Sequence, residues 1–504
     1  MLKQTDTSET VRLSQSINDE EIKYVMVRKT LIKEWLNSLE IYCELEDVPN
    51  IALLGSGGGE RAAVGMLGSL FQLEQDNLLG SLLYMCGVSG TTWCMSSLYS
   101  DLDWSLNKRC DEVIEKLKGP TVDLKKAVDW LKQWKDSDQD FNLTDFWGAF
   151  TACYFMKEVS MDTRRLSEEA HRNSTNPYPI YSAIELDRNK QHCTKGDCYA
   201  AFMQTRKLRT SELKSTFFGV IPDNSPPLFS VAVWFEMTPH ECGFSGLGAF
   251  IDTSCLRCKF EGGIMTEKRK EMDMVLLQGI CGSVIADGQM DIAYVGKKIW
   301  DLLFGGSIIW IVQNIFPLLI KWEWGTTSNF LFKLYDTRVP CCMAYKEKIH
   351  LVGVKMNSPY PPILRPSREV DLIISLDFSE EDPFETVFSS KQYADELKLP
   401  FPPVDERMRE EKDHPQDCYV FEGQLPKQPT IMHMPLFNLQ NCQDEQEIKK
   451  ESEKYTTFQQ PYSAPMIEHL LEKAKANMRN NRDRILGQII MAVQRRKNRK
   501  SVAQ

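Results

Sequence analysis

Apolar runs of strand length punctuate the first half of the chain. Residues 51–54, 82–86, 178–184 and 229–236 are nearly continuous in Ile, Leu, Val, Phe, Tyr, Trp and Cys, and turn residues bound several of them. Short continuous runs of this kind suit strands buried on both faces. Helical spacing separates them. Val64, Leu67, Leu70 and Phe71 fall on one face after the first run. Residues 102–155 read as helical, with amphipathic segments at 113–117 and 124–134. Ahead of the first strand, Asn18 reads as the N-cap of a helix over 20–43, with Asp19, Glu20 and Glu21 acidic around its first turn. Its expected apolar positions are Val25, Val27, Leu31, Trp35 and Leu39. Residues 1–17 are polar and read as a disordered lead. Alternating strands and helices predict an α/β fold on a largely parallel sheet.

Three further stretches stand out. Residues 188–227 are polar and irregular and read as a surface insertion. Residues 302–320 form the most apolar run, nearly long enough to span a bilayer. Gly305, Gly306, Gln313, Asn314 and Pro317 interrupt it, which favours a core helix or a membrane-touching lid over a true span. Residues 466–496 are amphipathic through Ile467, Leu470, Leu471, Ile485, Leu486, Ile489, Ile490 and Val493, and end in a run of Arg and Lys. Such an end binds anionic lipid or is simply solvated.

Candidate chemistry concentrates where two apolar runs meet glycines. After residues 82–86 come Gly87-Val88-Ser89-Gly90 and then a helical stretch, 92–99. A serine on a sharp strand-to-helix turn is a nucleophile elbow, with the helix dipole favouring developing negative charge. Thr91 stands where the Gly-x-Ser-x-Gly hydrolases have their last glycine, so the match is to a related pattern; the competing reading is an ordinary buried Gly-Ser turn. After residues 51–54 come Gly55-Ser56-Gly57-Gly58-Gly59-Glu60-Arg61-Ala62. Consecutive glycines opening a helix present N–H groups to an anion, either a phosphate or an oxyanion. The P-loop's Gly-Lys-Ser/Thr is missing, and the spacing of Gly55, Gly57 and Ala62 does not make a dinucleotide fingerprint. Amides facing a serine elbow make an oxyanion hole.

Composition narrows the class. A chain of 504 residues with net charge -10 allows an ample core and does not suggest bulk nucleic-acid binding. No apolar signal region is visible at the start and no prenylation box at the end, so a cytoplasmic location is expected. The 15 cysteines are scattered, and reduced thiols are expected. Cys255-x-x-Cys258, and His192-Cys193 with Cys198, lack a well-spaced second pair, so no metal site is expected.

Together these motifs resemble the cytosolic phospholipase A2 family (group IV). Gly-Ser-Gly-Gly-Gly-x-Arg-Ala over 55–62 precedes Gly-Val-Ser-Gly-Thr-Thr-Trp over 87–93, in the family's order. Blocks at 143–147, 176–180, 235–241, 322–327 and 363–371 agree with it. The similarity spans roughly 45–460 and is greatest to the gamma type, which lacks a calcium-binding C2 domain. The resemblance implies a three-layer α/β/α core of the patatin type with a cap or lid. It divides the chain into an N-terminal lead and helix (1–44), a phospholipase domain (45–460, with the insertion and a lid or core segment at about 292–321) and a C-terminal amphipathic helix with basic tail (461–504). It implies a calcium-independent serine lipid hydrolase of glycerophospholipids and lysophospholipids, acting through an acyl-serine at a membrane surface without cofactor, metal or nucleic acid. Ser89 would be the nucleophile, and Gly58 and Gly59 the oxyanion donors. Arg61 and Arg368 would hold the phosphate or organise the site.

The family's base does not follow. Its pattern places an Asp and a small residue before the glycine that here is Gly353, but the chain reads Ile349-His350-Leu351-Val352-Gly353-Val354-Lys355-Met356-Asn357-Ser358-Pro359-Tyr360-Pro361. The frame matches on both sides with two positions missing. Asp371 and Asp377 occur in the family in addition to the lost residue and read as structural; nothing in the spacing recommends Asp336. A serine hydroxyl without a base is a poor nucleophile. The alternative expectation is therefore a catalytically impaired paralogue that binds lipid or a partner.

Overall fold

The computed structural model describes residues 9–503, apart from 101–105, 121–124, 138–140, 159–160, 173, 186–232, 283–309, 311–312, 316, 319–323, 337, 353–356, 425 and 458–460. The expected insertion at 188–227 and most of the apolar run 302–320 lie outside the described residues.

Five strands form the parallel centre: β2 (Ile51–Gly55), β3 (Tyr84–Val88), β4 (Tyr178–Glu185), β12 (Leu372–Asp377) and β14 (Thr430–Pro435). Their order across the sheet is β4-β3-β2-β12-β14, all parallel. Their registers pair Leu53 with Met85, Met85 with Pro179 and Leu53 with Ile374. Each side chain of β2, β3 and β4 is buried, as continuous apolar runs require. Antiparallel strands extend the β4 side: β5 (Val233–Met237), β6 (Glu241–Phe244), β7 (Ala249–Asp252) and β1 (Arg12–Leu13). A hairpin of β8 (Lys259–Glu261) and β9 (Ile264–Glu267) stands apart. The strand β11 (Lys348–Val352) pairs with β10 (Thr326–Ser328) and with the end of β4, and β13 (Tyr419–Phe421) closes the β14 edge.

Chain winding runs one way from β2 through α2 (Gly59–Gln75) to β3, and the other way from β12 through the helix at Glu385–Glu396 to β14. Crossovers are right-handed, so opposite windings put helices on opposite faces. The result is the expected α/β/α architecture. The winding reverses between β2 and β12, and ligand crevices in open α/β sheets form beyond the carboxyl ends of strands at such a point. The glycine turn sits at that end of β2. The helices α3 (Gly90–Tyr99) and α4 (Leu106–Lys118) pack on α2, α7 (Met274–Gly282) packs on α3, α6 (Leu143–Phe150) on α7 and α5 (Lys125–Ser137) on α6. No helix among the described residues is long and apolar enough to cross a membrane.

Several expectations need correction. Residues 9–17 are ordered, because β1 adds to the sheet edge and Ile17 is buried. The first helix, α1, spans Asp19–Ser38 with Asn18 capping Glu20 N–H at 2.8 Å. Its buried stripe is Glu21, Tyr24, Arg28, Ile32 and Leu36; Val27 is exposed. Glu21 and Arg28 are inside because distant partners wait there: Arg368 for Glu21, and the carbonyls of Leu82 and Thr175 for Arg28. At the other end, the expected single helix is two, Ala464–Asn480 and Arg482–Ala503. They are separated at Asn481, whose side chain donates to Asp417 at 3.0 Å. The basic tail is neither loose nor fully solvated. Arg496 and Arg499 pair with the buried carboxylate of Asp371 at 2.5 and 3.0 Å, and Arg495 reaches Thr430.

Candidate active site

The strand β3 delivers Ser89 at its end, and α3 begins at Gly90, so Ser89 is the helix N-cap. Its backbone is strained, with φ 55° and ψ -132°. For a non-glycine residue that conformation costs about 1–3 kcal/mol and is kept only where its surroundings enforce it. Here they do. The Ser89 N–H donates to Cys281 O of α7 at 3.1 Å, and Ser89 O accepts Thr92 N–H at 2.9 Å. The Thr91 hydroxyl accepts Val88 N–H at 2.9 Å and lies 2.9 Å from Gly55 O, fixing the elbow to the end of β2. Thr91, the departure from the glycine pattern, is thus a brace that the motif alone did not reveal.

The glycine turn closes on the same point. A β-carbon on Gly57 would lie 3.1 Å from Ser89 Cβ and 3.6 Å from Ser89 Oγ, and one on Gly90 would collide with the carbonyl of Gly59. Gly58 has φ 144° and Gly59 φ 57°, values that favour a residue without a side chain. Gly57 N–H is taken by Asn357 O at 2.8 Å. The N–H groups of Gly58 and Gly59 open α2 with no acceptor among the described residues. The two turns therefore meet, with amide donors beside a serine at the start of a helix.

Ser89 itself is 2% exposed. The glycine turn packs against its side chain, and the end of α7 binds its N–H. Among the described residues no side chain hydrogen-bonds its Oγ. The residue brought beside it is Asn357, whose Oδ1 would be 2.6 Å from a β-carbon on Gly57. Its Nδ2 donates to Ser379 Oγ at 2.7 Å and lies 3.3 Å from Gly57 O. Ser379 N–H in turn donates to Asp377 Oδ1 at 2.6 Å.

Asp377 is the buried carboxylate that ends β12, on the site side of the sheet. Burial pushes it up to about 7, against hydrogen bonds from Ser379 and the charge of Arg61. Its Oδ2 has no hydrogen-bond partner among the described residues and stands 3.9 Å from Nε2 of buried His433. Burial holds His433 down at about 4. The other acids are elsewhere. Asp371 precedes β12 at the opposite end of the sheet, and Asp336 is paired with Arg338 at 2.8 Å, which holds it down at about 2. Among the described residues, no group of three or more His, Cys, Asp or Glu could hold a metal ion.

Neither expected phosphate-binding arginine presents its fork to a ligand. Arg61 is 1% exposed, donates Nε to Phe378 O at 2.8 Å, and reaches Tyr455 O and the Thr457 hydroxyl. It fastens the segments that flank the glycine turn. Arg368 is wholly buried near the opposite end of the strands, where the carbonyl of its own residue takes Asn50 Nδ2 just before β2. Its guanidinium grips Glu21 at 2.9 and 3.0 Å and Glu236 at 2.9 and 3.0 Å. Burial opposes charge on Glu236, yet Arg365 and Arg368 hold its carboxyl below the usual range. With its fifth N–H given to Pro362 O at 2.7 Å, this guanidinium has no donors left for phosphate.

Comparison with known proteins agrees with this geometry. A family model described as lysophospholipase catalytic domain matches residues 51–198, the span of both turns. Human cytosolic phospholipase A2 gamma is 29% identical, the alignment covering 96% of this chain and 96% of that protein. The mouse gamma protein is 26% identical over 94% of this chain and 91% of its own length. The solved structure of human GIVD cytosolic phospholipase A2 superposes with TM-score 0.75 at 20% identity, covering 98% of this chain and 69% of that one. Fold, turn order and near full-length similarity coincide, and the chain is similar to the cytosolic phospholipase A2 family.

Proposed function

We propose that this chain is a calcium-independent serine lipid hydrolase that releases fatty acid from glycerophospholipids and lysophospholipids. The carrying observation is the contact between the glycine turn and the strained Ser89. Ser89 Oγ attacks the ester carbonyl, the N–H groups of Gly58 and Gly59 take up the oxyanion, and water hydrolyses the acyl-serine. Related human GIVD cytosolic phospholipase A2 has been solved with methyl γ-linolenyl fluorophosphonate, a reagent of the class that reports an activated serine. Because Ser89 is closed off, the groups over it must part before a lipid reaches it. Calcium independence follows from the resemblance to the gamma type, and with it a cytoplasmic enzyme that meets membranes peripherally.

A second reading rests on a different observation. Residues 348–362 contain no Asp or Glu, and the side chain beside Ser89 is the neutral amide of Asn357. A general base is worth roughly 100- to 10,000-fold, so a chain without one binds lipid and turns it over slowly or not at all.

One experiment separates the two. Wild-type and Ser89→Ala chains are given vesicles of mixed-chain phosphatidylcholine or lysophosphatidylcholine, with and without calcium. Fatty acid released by the wild type alone, unaffected by calcium, supports the hydrolase. Equal background release from both with vesicle binding retained supports the binding protein.

A further inference from the structure

Between β7 and β8 the chain makes a tight turn over Cys255-Leu256-Arg257-Cys258, far in sequence from either site turn. Cys258 N–H donates to Cys255 O at 2.9 Å. Leu256 has φ -60° and ψ 125°, and Arg257 has φ 87°. These are the angles of a type II β-turn, whose third residue is ordinarily glycine. An arginine is held there instead, with its guanidinium 5.8 Å from the centre of the Trp134 ring; Lys270 Nζ is 5.0 Å from the same ring. A β-turn keeps its end Cα atoms within about 7 Å, the range of about 4.4–6.8 Å that a disulfide bridges. Both cysteines are reduced. The Cys258 sulfur accepts Arg269 N–H at 3.3 Å and lies 3.7 Å from Arg269 O; the neighbouring Cys255 thiol holds Cys258 below the usual thiol range.

We propose that Cys255 and Cys258 are a redox pair, a dithiol that hydrogen peroxide converts to an intrachain disulfide and that a thiol reductant restores. The two sulfurs take different parts. Cys258 is stabilised as the thiolate by the Cys255 S–H, against burial, and by Arg269 N–H, which together bring it down to about 7. Cys255, donor to that thiolate, is pushed up. The thiolate is the nucleophile. It attacks one peroxide oxygen, the S–O bond forms, the O–O bond breaks, and hydroxide leaves to become water. Cys258 is then a sulfenic acid. The Cys255 sulfur attacks the Cys258 sulfur, the S–S bond forms and the S–O bond breaks. The departing hydroxide takes the Cys255 proton as a second water. Two electrons pass from the sulfur pair to peroxide. The side chains are nearly covered, at 3% and 1% exposure, which admits a small oxidant more readily than a protein one.

The test uses the full chain treated with a few equivalents of hydrogen peroxide, then denatured, alkylated, digested and weighed by mass spectrometry. The expected peptide carrying both cysteines has lost two hydrogens and takes no alkyl group, and dithiothreitol reverses both changes. In Cys255→Ser the second step is blocked, so dimedone labels Cys258. Full alkylation of both thiols after peroxide overturns the proposal, as does a disulfide from either cysteine to a third one or direct passage of Cys258 to the sulfinic acid. The wild-type measurement decides the matter even if the variant fails to fold.

Discussion

Gly57 and Ser89 touch: a single added carbon on Gly57 would stand 3.1 Å from Ser89 Cβ and 3.6 Å from the hydroxyl. It would also press on Asn357 Oδ1 at 2.6 Å. On the proposed hydrolase reading, the absence of a side chain at 57 leaves the space that an ester carbonyl would take. Gly57→Ala is expected to lower fluorophosphonate labelling of Ser89 at least tenfold while the far-ultraviolet circular dichroism stays that of the parent. Unchanged labelling would mean the reagent approaches from elsewhere and the glycine turn does not line the reacting space.

Arg368 gives a sharper test, because the resemblance and the structure assign it different work. The structure surrounds it with Glu21 and Glu236, all three side chains at 0% exposure. Removing one partner of a buried ion pair leaves uncompensated charge and costs roughly 3–5 kcal/mol. Arg368→Ala is expected to lose about that much in urea unfolding. Where it remains folded, its affinity for phosphatidylcholine vesicles should equal the parent's. Intact stability with weakened vesicle binding would restore the phosphate role.

The same residue explains what the sequence conceals. Strands β2, β3 and β4, the glycine turn and the elbow are local patterns, and the residues in them announce strand, turn and helix within a few positions. The buried stripe of α1 is not local. Glu21 is inside only because Arg368, 347 positions away, meets it there. A hydrophobicity count therefore points to Val25 and Val27 and misses the real face. Asn357 fails for a related reason. It stands in the family's frame as an ordinary loop residue. Only the fold shows its carbonyl and side chain clasping Gly57 beside Ser89. Nor could the burial of Ser89 be read from a motif, since Cys281 O arrives from a helix almost 200 positions later.

Glu60, which follows Gly59 at the start of α2, should write itself into the pH dependence of stability. It is 2% exposed; Oε2 accepts Tyr462 N–H at 2.9 Å and Oε1 has no partner among the described residues. Burial pushes it up to about 8, against the Tyr462 N–H and the charge of Lys157. In the unfolded chain a glutamate titrates near 4.3. Between those values the folded state binds more protons than the unfolded one, so stability falls as pH rises from about 4 to about 8 and levels above that. Asp377, pushed up to about 7, adds a slope of the same sign over the lower part of the window. Glu60→Gln keeps an acceptor for Tyr462 and removes the charge. It should be more stable than the parent by roughly 1–3 kcal/mol at pH 8 and indistinguishable at pH 4. Urea midpoints at the two pH values measure this; equal shifts at both would show that Glu60 does not titrate in the window.

The missing acid can be put back. Val352 is fixed by its register with Ile184 of β4, and Asn357 is fixed by its paired hydrogen bonds to Gly57. Residues added between these anchors enter a stretch whose far anchor, Asn357, contacts the glycine turn next to Ser89. The family frame asks for Asp and a small residue immediately before Gly353. Inserting Asp-Ala between Val352 and Gly353 is therefore expected to raise fatty acid release from lysophosphatidylcholine by roughly 100-fold or more, the usual worth of a general base. The gain should vanish when Ser89→Ala is added and should not appear with an Ala-Ala insertion, which lengthens the loop without supplying a carboxylate. The rate should rise with pH through the carboxylate range, since only the ionised Asp accepts the serine proton. No gain from Asp-Ala over a parent that already hydrolyses the substrate would mean that another group, Asp377 foremost, takes the proton through a rearranged Ser379 and Asn357. No hydrolysis by either chain would leave the scaffold as a lipid-binding one.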